Sequence, residues 1–517
     1  MDYALLLDAF GRTHAGRAWP RQRLLHECLR AAIRDGTLAA GTRLAATRTL
    51  AGELGIARNT VLYAYEQLAS EGFVVSDRRG TVVAAVAGNA RSQAAPLPQA
   101  GLARRARDLR SMANAASEGL AFVPGVPDLH AFPLASWRRH LERAWRSLGP
   151  AQLNYGDPAG EAALRAAIAD YLRASRGVVC EAGQVFITDG TQSSLDLCAR
   201  ACADGGDTVW IEDPAYGGAL AAFRGAGLAL EGIQVDLEGM APTPHDWQTR
   251  RPKLVYVTPS HQYPVGVVMS LARRLALIED ASQAGALIVE DDYDSEFRHE
   301  GPPLAAMQGL APDAPVLYCG TFSKTMFPGL RIGFVVAPPG LARPLAAMRA
   351  QSSASGRAAE QLALAGFLRS GEFMAHLRRM RRLYRQRRDA LVAALARHLG
   401  RIAEVHGASA GMHLALRLPD GRLSDVAIAA RAREEGIIVN PLSAHALDGG
   451  VPWNGLMLGY AQVPAERMDA LVRRLAAVVH LAAYEAGVTP ASPDRPPHRS
   501  PSAASSPSAP SRSGRCA

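Results

Sequence analysis

Six short apolar runs, QVFIT, DTVWIE, KLVYVT, ALIVED, APVLYCGT and GFVVA, fall between residues 184 and 337 and restrict the fold more than any other feature. Each is too short for a helix and lacks the strict alternation of a half-solvated strand. Each therefore reads as a strand buried on both faces. The stretches between them carry a helical apolar period. Buried strands alternating with amphipathic helices predict a parallel, doubly wound α/β sheet covered on both faces. Such sheets bind ligands at the C-terminal ends of their strands.

The sheet pattern does not fill the 517-residue chain. Residues 86–117 lack any sustained apolar period and read as a linker. Residues 487–517 are rich in Ser, Pro and Ala and cannot bury a core. These breaks leave a module over 17–85 and a large domain over 118–482. Charge is unevenly shared: residues 1–110 hold 16 Arg against nine Asp and Glu, while the net charge of the whole chain is +9. A basic module on a nearly neutral body predicts a polyanionic partner for that module. The six cysteines, at 28, 180, 198, 202, 319 and 517, show no metal-ligand spacing. No apolar run is long enough for a membrane span, and no signal segment is evident. The expectation is a cytoplasmic protein with reduced thiols, no metal and no membrane partner.

In the basic module, residues 20–34 place Leu24, Leu25, Cys28, Leu29 and Ile33 on one helical face, with Pro20 at the start and Gly36 as the stop. Thr47 is expected to cap a short helix ending at Gly55. A second helix is expected from about Arg58 to Ser70, with Val61, Leu62, Tyr65 and Leu68 inward. FVVSDRRGTVVA then reads as two short strands around an arginine-rich turn. This order is the outline of a winged helix-turn-helix. Arg58, Asn59 and Thr60 at the start of the second helix would enter a major groove. Arg43, Arg48, Arg78 and Arg79 would neutralise phosphates. The stretch GTRLAATRTLAGELGIARNTVLYAYEQLASEGF, with RRGT at the turn, resembles the GntR-type DNA-binding domain. Two positions depart from that pattern: Ala45 stands where proline is usual, and Ala57 where a serine usually precedes the recognition helix.

The large domain holds the only two lysines among 57 basic side chains, Lys253 and Lys324. Arginine cannot shed its proton near neutral pH, so amine chemistry falls to lysine. Lys253 precedes a strand and reads as solvated. Lys324, in GTFSKTMFPGLRIG, lies between hydroxyls and seven residues before Arg331. An imine-forming lysine commonly serves pyridoxal phosphate (PLP). That cofactor needs phosphate donors, a carboxylate facing its pyridine nitrogen, a donor to its ring hydroxyl and a flat side chain against the ring. ITDGTQ runs from a strand through Gly190 into a helix whose N–H groups at Gly190, Thr191 and Gln192 suit an anion. Thr321, Ser323 and Arg331 would complete a phosphate cup. In LIVEDDYDSEF, Asp291 would face the pyridine nitrogen and Tyr293 the ring hydroxyl. Tyr216, in IEDPAYGG, offers the stacking surface, and TPSHQYPVG adds a polar loop at another strand end.

NYGDPAGEAALRAAIADYL, ITDGTQ, EDPAY, EDDYDSEF and FSKTMFPGLRIGF, in that order, resemble the fold-type I aminotransferases of class I/II. With the GntR-like module ahead of it, the chain resembles a MocR-type transcriptional regulator. The resemblance implies a large mixed, mostly parallel sheet with helices on both faces and a smaller C-terminal α+β subdomain. It implies PLP held by Lys324, with Asp291 at the pyridine nitrogen, Tyr293 at the ring oxygen, and Arg331, Thr321 and Gly190–Gln192 at the phosphate. It further implies a head-to-tail homodimer in which Tyr155 reaches the neighbouring subunit's cofactor. The partners would be operator half-sites in double-stranded DNA and an effector that is PLP or a small amine.

Two departures count against efficient transamination. Active aminotransferases clamp the substrate carboxylate with an arginine near the C-terminus; here that segment reads WNGLMLGYAQV, with Gly455 in the arginine's place. Arg417 or His413 is the alternative clamp. Val265 replaces the small hydroxyl residue usual before Gly266. A PLP-responsive regulator is the favoured reading, with an aminotransferase carrying an accessory module, or a scaffold without cofactor, as the alternatives.

Overall fold

The computed structural model describes residues 1–14, 19–78, 80–85, 121–301, 304–311, 313–352, 356–447 and 453–488. Both the linker over 86–117 and the tail from 489 onward lie outside them. The chain divides into two compact units, residues 1–102 and 103–517.

In the first unit, α1 (Tyr3–Thr13), α2 (Arg21–Arg34), α3 (Thr47–Leu54) and α4 (Arg58–Ser70) precede the antiparallel pair β1 (Val74–Asp77) and β2 (Gly80–Val83). Leu25, Leu29, Ile33, Leu50, Val61, Tyr65 and Leu68 close one core. Several expectations change here. Helix α1 lies ahead of the expected module and belongs to the same unit: its Tyr3 is buried in that core, and the Tyr3 backbone N–H donates to Glu53 Oε1 at 3.0 Å. Thr47 does not cap α3: it is the first helical residue and Ala46 is the cap, without a side-chain bond. Thr47 Oγ1 instead accepts from Arg58 Nε at 3.4 Å. Leu62 points outward, 39 % exposed, and Ala64 takes the inward place, since 61, 64, 65 and 68 follow the helical period. Gly55 ends α3 at φ +61, as expected for a left-handed cap.

The second unit is built on an eight-stranded sheet. Its strands are β3 (Val185–Thr188), β4 (Thr208–Asp213), β5 (Ala229–Asp236), β6 (Gly239–Met240), β7 (Leu254–Val257), β8 (Leu287–Asp292), β9 (Val316–Thr321) and β10 (Gly333–Val336). Their spatial order is β3-β10-β9-β8-β7-β4-β5-β6. The five strands from β9 to β5 run parallel. GFVVA departs from the all-parallel reading: β10 is antiparallel to both β3 and β9. Residues 322–332 join β9 to β10 without a helical crossover, which antiparallel neighbours permit and parallel ones do not. That connection carries Lys324 and Arg331, so the reversal keeps both at the end where β9 finishes.

One sheet face packs Phe186, Val209, Ile211, Tyr256, Leu317 and Val335. The opposite face shares a core with the C-terminal subdomain, from Phe334 and Ile187 to Leu414 and Leu458. That subdomain has β11 (Glu404–His406), β12 (His413–Arg417), β13 (Asn440–Pro441) and β14 (Gly455–Gly459), antiparallel in the order β11-β12-β14-β13. A 28-residue helix, Glu372–Leu399, leads into it, its buried stripe running from Phe373 through Leu377, Tyr384 and Leu391 to Leu399. Among the described residues, no helix is long and apolar enough to cross a membrane.

Candidate cofactor-binding site

The C-terminal ends of β7, β8 and β9 converge on a cavity of about 520 Å³. Lys324 projects into it, and its Nζ donates to the backbone carbonyl of Gly125 at 2.6 Å. Gly125 has φ +74, and a Cβ there would sit 3.2 Å from that amine, so the carbonyl reaches Nζ only because the position is glycine. Burial lowers the Lys324 pKa; Asp294 and Asp291 oppose the shift and Arg331 adds to it. The amine is thus held toward its uncharged form.

Asp291, the last residue but one of β8, is 3 % exposed. Burial raises its carboxyl to about 7, against the hydrogen bond from Tyr256 and with help from Asp292. Tyr256 donates to Oδ2 at 2.9 Å, while Oδ1 is buried without a partner among the described residues. An orphaned carboxylate oxygen on a residue that lines a cavity wants a donor, and a protonated pyridine nitrogen is such a donor.

The opposite requirement, an anion, arises at the other end. Helix Thr191–Cys202 begins after Gly190, which has φ +92 and lets the strand turn into the helix. The N–H groups of that first turn open on the cavity beside Thr191 and Gln192. The Arg331 guanidinium lies against Gly190, 3.3 Å from where a Cβ would be. Among the described residues, Arg331 has no acidic partner. Thr321 and Ser323 line the same end, the Thr321 hydroxyl bonding Ser323 Oγ at 3.1 Å and its N–H at 3.2 Å. A dianionic phosphate fits this set of donors.

Tyr216 lines the wall, its hydroxyl pushed up to about 12, mainly by burial. Its ring occupies the space where Gly218 would carry a Cβ, and it meets Tyr263 edge-on at 5.2 Å. Tyr293 also lines the cavity, but its hydroxyl donates to the His261 carbonyl at 2.8 Å. A phenol has one proton to give, so donation to a ring oxygen would replace that bond.

The cavity thus gathers Lys324, Asp291, Tyr293, Tyr216, Thr191, Gln192, Thr321, Ser323 and Arg331, with Gly190 directly behind Arg331. Tyr155 stands apart, 93 % exposed. Neither Gly455 nor Arg417 reaches the cavity. A Cβ on Gly455 would lie 2.4 Å from the Leu416 carbonyl, and Arg417 lies over Trp453 and pairs with Glu404. Val265 is buried with Val235 and Val267. His413, the other expected clamp, does line the cavity. Sequence reasoning missed Gly125, Tyr256, Asp294, Arg433, Asn440 and His445. Tyr256 reads as core because it sits in an apolar run. Gly125 and Arg433 meet the site only through folding.

In the first unit, Arg43, Arg48, Arg58, Asn59 and Arg78 are exposed and Thr60 is half-buried; Arg79 lies outside the described residues. Arg43 runs along the hairpin turn, within 4 Å of a Cβ placed on Gly80, and bridges Val82. Ala57 caps α4 without a side-chain bond.

Comparison with known proteins matches residues 125–475 to the family described as aminotransferase class I and II, and residues 22–83 to the bacterial regulatory proteins of the gntR family. The chain is 40% identical over 455 residues to the probable rhizopine catabolism regulatory protein MocR of Rhizobium meliloti, covering 87% of this chain and 92% of that one. It is 31% identical to the pyridoxine biosynthesis transcriptional regulator PdxR of Corynebacterium glutamicum, covering 88% and 95%. Among solved structures it resembles LysN, the α-aminoadipate aminotransferase of Thermus thermophilus complexed with N-(5'-phosphopyridoxyl)-L-leucine. That match has a TM-score of 0.66 at 29% identity and covers 74% of this chain and 98% of that one.

Proposed function

Because the chain belongs to the MocR-type regulators, a gntR-family DNA-binding module joined to an aminotransferase class I and II domain, we propose that it is a PLP-dependent transcriptional regulator that senses the cofactor or a small amine at Lys324. The observation that carries this reading is the Lys324 amine, held toward its neutral form and aimed into a cavity with anion donors at one end and an unpartnered carboxylate oxygen at the other. When bound, PLP supplies an electrophilic aldehyde with which amines condense. The chain's residues do the rest. Lys324 offers the nucleophilic nitrogen. Asp291 Oδ1 would hold a proton at the pyridine nitrogen, while Tyr256 fixes Oδ2. Arg331 and the N-terminus of helix Thr191–Cys202 would anchor the phosphate, and Tyr216 would cover the ring.

Regulation rather than turnover is supported by segment 453–463, which holds no arginine to clamp a carboxylate. The exposure of Tyr155 supports a head-to-tail homodimer in which this side chain meets the other subunit's site. Two DNA-binding modules then read paired half-sites, and a change at Lys324 alters how they are held.

The test has two arms. Borohydride reduction of PLP-loaded protein followed by mass spectrometry should place a pyridoxyl group on Lys324 and on no other residue. Binding to the DNA upstream of its own reading frame should fall with salt and differ between cofactor-free and PLP-loaded protein. Unlabelled Lys324, or equal DNA affinity with and without PLP and with every amine tried, refutes the proposal. Amino acid turnover with 2-oxoglutarate at about 1 per second or more would favour an enzyme instead.

A further inference from the structure

We propose that the second unit carries a DNA-backbone contact of its own, a stripe of Arg378, Arg382 and Arg385 on helix Glu372–Leu399; this rests on the DNA-binding reading above. Residues 378–388 read RRMRRLYRQRR, seven arginines and no acid. The fold divides the seven into two groups. Four are used within the chain. Arg379 donates to the Ala131 carbonyl at 2.6 Å and Arg381 to the Glu296 carbonyl at 2.5 Å. Arg387 pairs with Asp128 at 2.8 Å, and Arg388 with Glu300 at 2.5 Å and Asp389 at 2.8 Å. The other three, Arg378, Arg382 and Arg385, are exposed and have no hydrogen-bond or ion-pair partner among the described residues.

These three stand four and three positions apart, so they share one helix face, opposite the buried stripe of Phe373, Leu377 and Tyr384. Like charges at these spacings destabilise a helix, and among the described residues no acid offsets them. A polyanion would. Seven positions of helix span about 10 Å, a length over which one DNA strand presents about three phosphates at about 3.4 Å of rise each. A row of equal charges suits that repeat. It does not suit a protein partner, whose interface core would be apolar and poor in charge, because the exposed neighbours on this face are Ala375 and Gln386. The near-neutral net charge of the second unit conceals this local concentration. DNA held by the gntR-family module is present at high effective concentration for any further site on the same chain, so a contact too weak to bind alone still adds to affinity.

The experiment uses full-length protein and the DNA upstream of its own reading frame. A triple variant, Arg378→Gln with Arg382→Gln and Arg385→Gln, should bind at least tenfold more weakly at 0.1 M salt, and its salt slope should fall by about three per subunit engaged. The matching triple replacement by lysine should keep both quantities near wild type, because a phosphate contact of this kind needs charge rather than a planar fork. Hydroxyl-radical cleavage should show a stretch of backbone protected by wild type and by the lysine variant but cut in the glutamine variant, with the remaining protection unchanged. An unchanged salt slope in the glutamine variant overturns the proposal, as does a footprint identical to that of wild type. A glutamine variant that sediments as a smaller species than wild type without DNA also overturns it, and makes the stripe an interface between copies of this chain. Each of these results leaves the DNA-binding reading of the first unit standing, provided that Arg48→Ala still lowers the slope. Wild type that does not bind the upstream DNA defeats both.

Discussion

One methyl group at Gly218 tests the cavity wall. Gly218 is the second residue of helix Gly217–Gly225, and a Cβ there would lie 2.5 Å from Cε1 and Cζ of Tyr216 and 2.6 Å from its hydroxyl. Carbon atoms in contact stand about 3.5–4.0 Å apart, so the Tyr216 ring must swing away. Overpacking of this kind costs about 1–3 kcal/mol. The backbone works the other way: the position is helical, and alanine is favoured over glycine there by about 0.8–1 kcal/mol. Gly218→Ala should therefore cost roughly 0–2 kcal/mol in wild type. In a Tyr216→Ala background the clash is gone, and the same change should stabilise by up to about 1 kcal/mol. The coupling across the cycle is about 1–3 kcal/mol. Displacing the ring also removes a stacking contact of about 0.5–1.5 kcal/mol, so the Kd for PLP should rise about two- to tenfold in Gly218→Ala. Urea unfolding of the four proteins, read by tryptophan fluorescence, and PLP titrations measure both quantities. An equal cost of Gly218→Ala with and without the Tyr216 ring, or an unchanged Kd for PLP, refutes the placement of that ring.

Arg331→Gln should weaken PLP binding about ten- to a hundredfold, from charge-assisted bonds of about 1.5–3 kcal/mol, but leave the affinity for pyridoxal, which lacks the phosphate, nearly unchanged; paired titrations decide. Asp291 sits at about 7 in the fold against 3.8 as its ordinary value, so the folded protein keeps a proton that the unfolded chain has lost. That contribution is complete below about pH 3.8 and disappears as pH rises through about 7, with a slope of up to about 1.4 kcal/mol per pH unit. Cofactor-free Asp291→Asn should therefore lose stability less steeply than wild type between pH 4.5 and 7 in thermal melts; buried Glu212, Glu290 and Glu296, each raised to about 7 chiefly by burial, account for the slope that remains. On DNA, Arg48→Ala should weaken binding to all sequences and reduce the salt slope by about one. Asn59→Ala should cost about 1–3 kcal/mol on the operator alone. Fluorescence anisotropy across salt concentrations separates the two.

Much of the frame was readable because burial writes itself into the chain. Six apolar runs became β3, β4, β7, β8, β9 and β10, and the polar residues just past them form most of the cavity wall. Strand direction was not readable: GFVVA looks like its parallel neighbours, since a strand buried on both faces has the same composition either way. Helix ends were less legible than helix faces. Thr47 has the chemistry of a cap, but α2 and α3 begin at Pro20 and Ala46 without a side-chain cap, whereas Asp2 does cap α1. Tyr3 was invisible as a core residue because nothing local marks the helix that carries it.

The site's chemistry divides along the same line. Lys324, Asp291 and Arg331 could be named because each need of PLP maps onto one residue type at a strand end. What those residues face is set by segments far away in sequence: Lys324 bonds Gly125 across 199 positions, and Tyr256 reaches Asp291 across 35. Sequence order cannot show that Tyr293 has already spent its proton on the His261 carbonyl, nor that Asp291 Oδ1 ends without a partner among the described residues. The first means that a ring oxygen must compete with a backbone carbonyl for one phenolic hydrogen. The second leaves a buried carboxylate oxygen that a donor on a bound ligand would satisfy. Residue types at strand ends therefore mark which groups can meet a cofactor, whereas the fold decides which of their polar atoms are left to bind it.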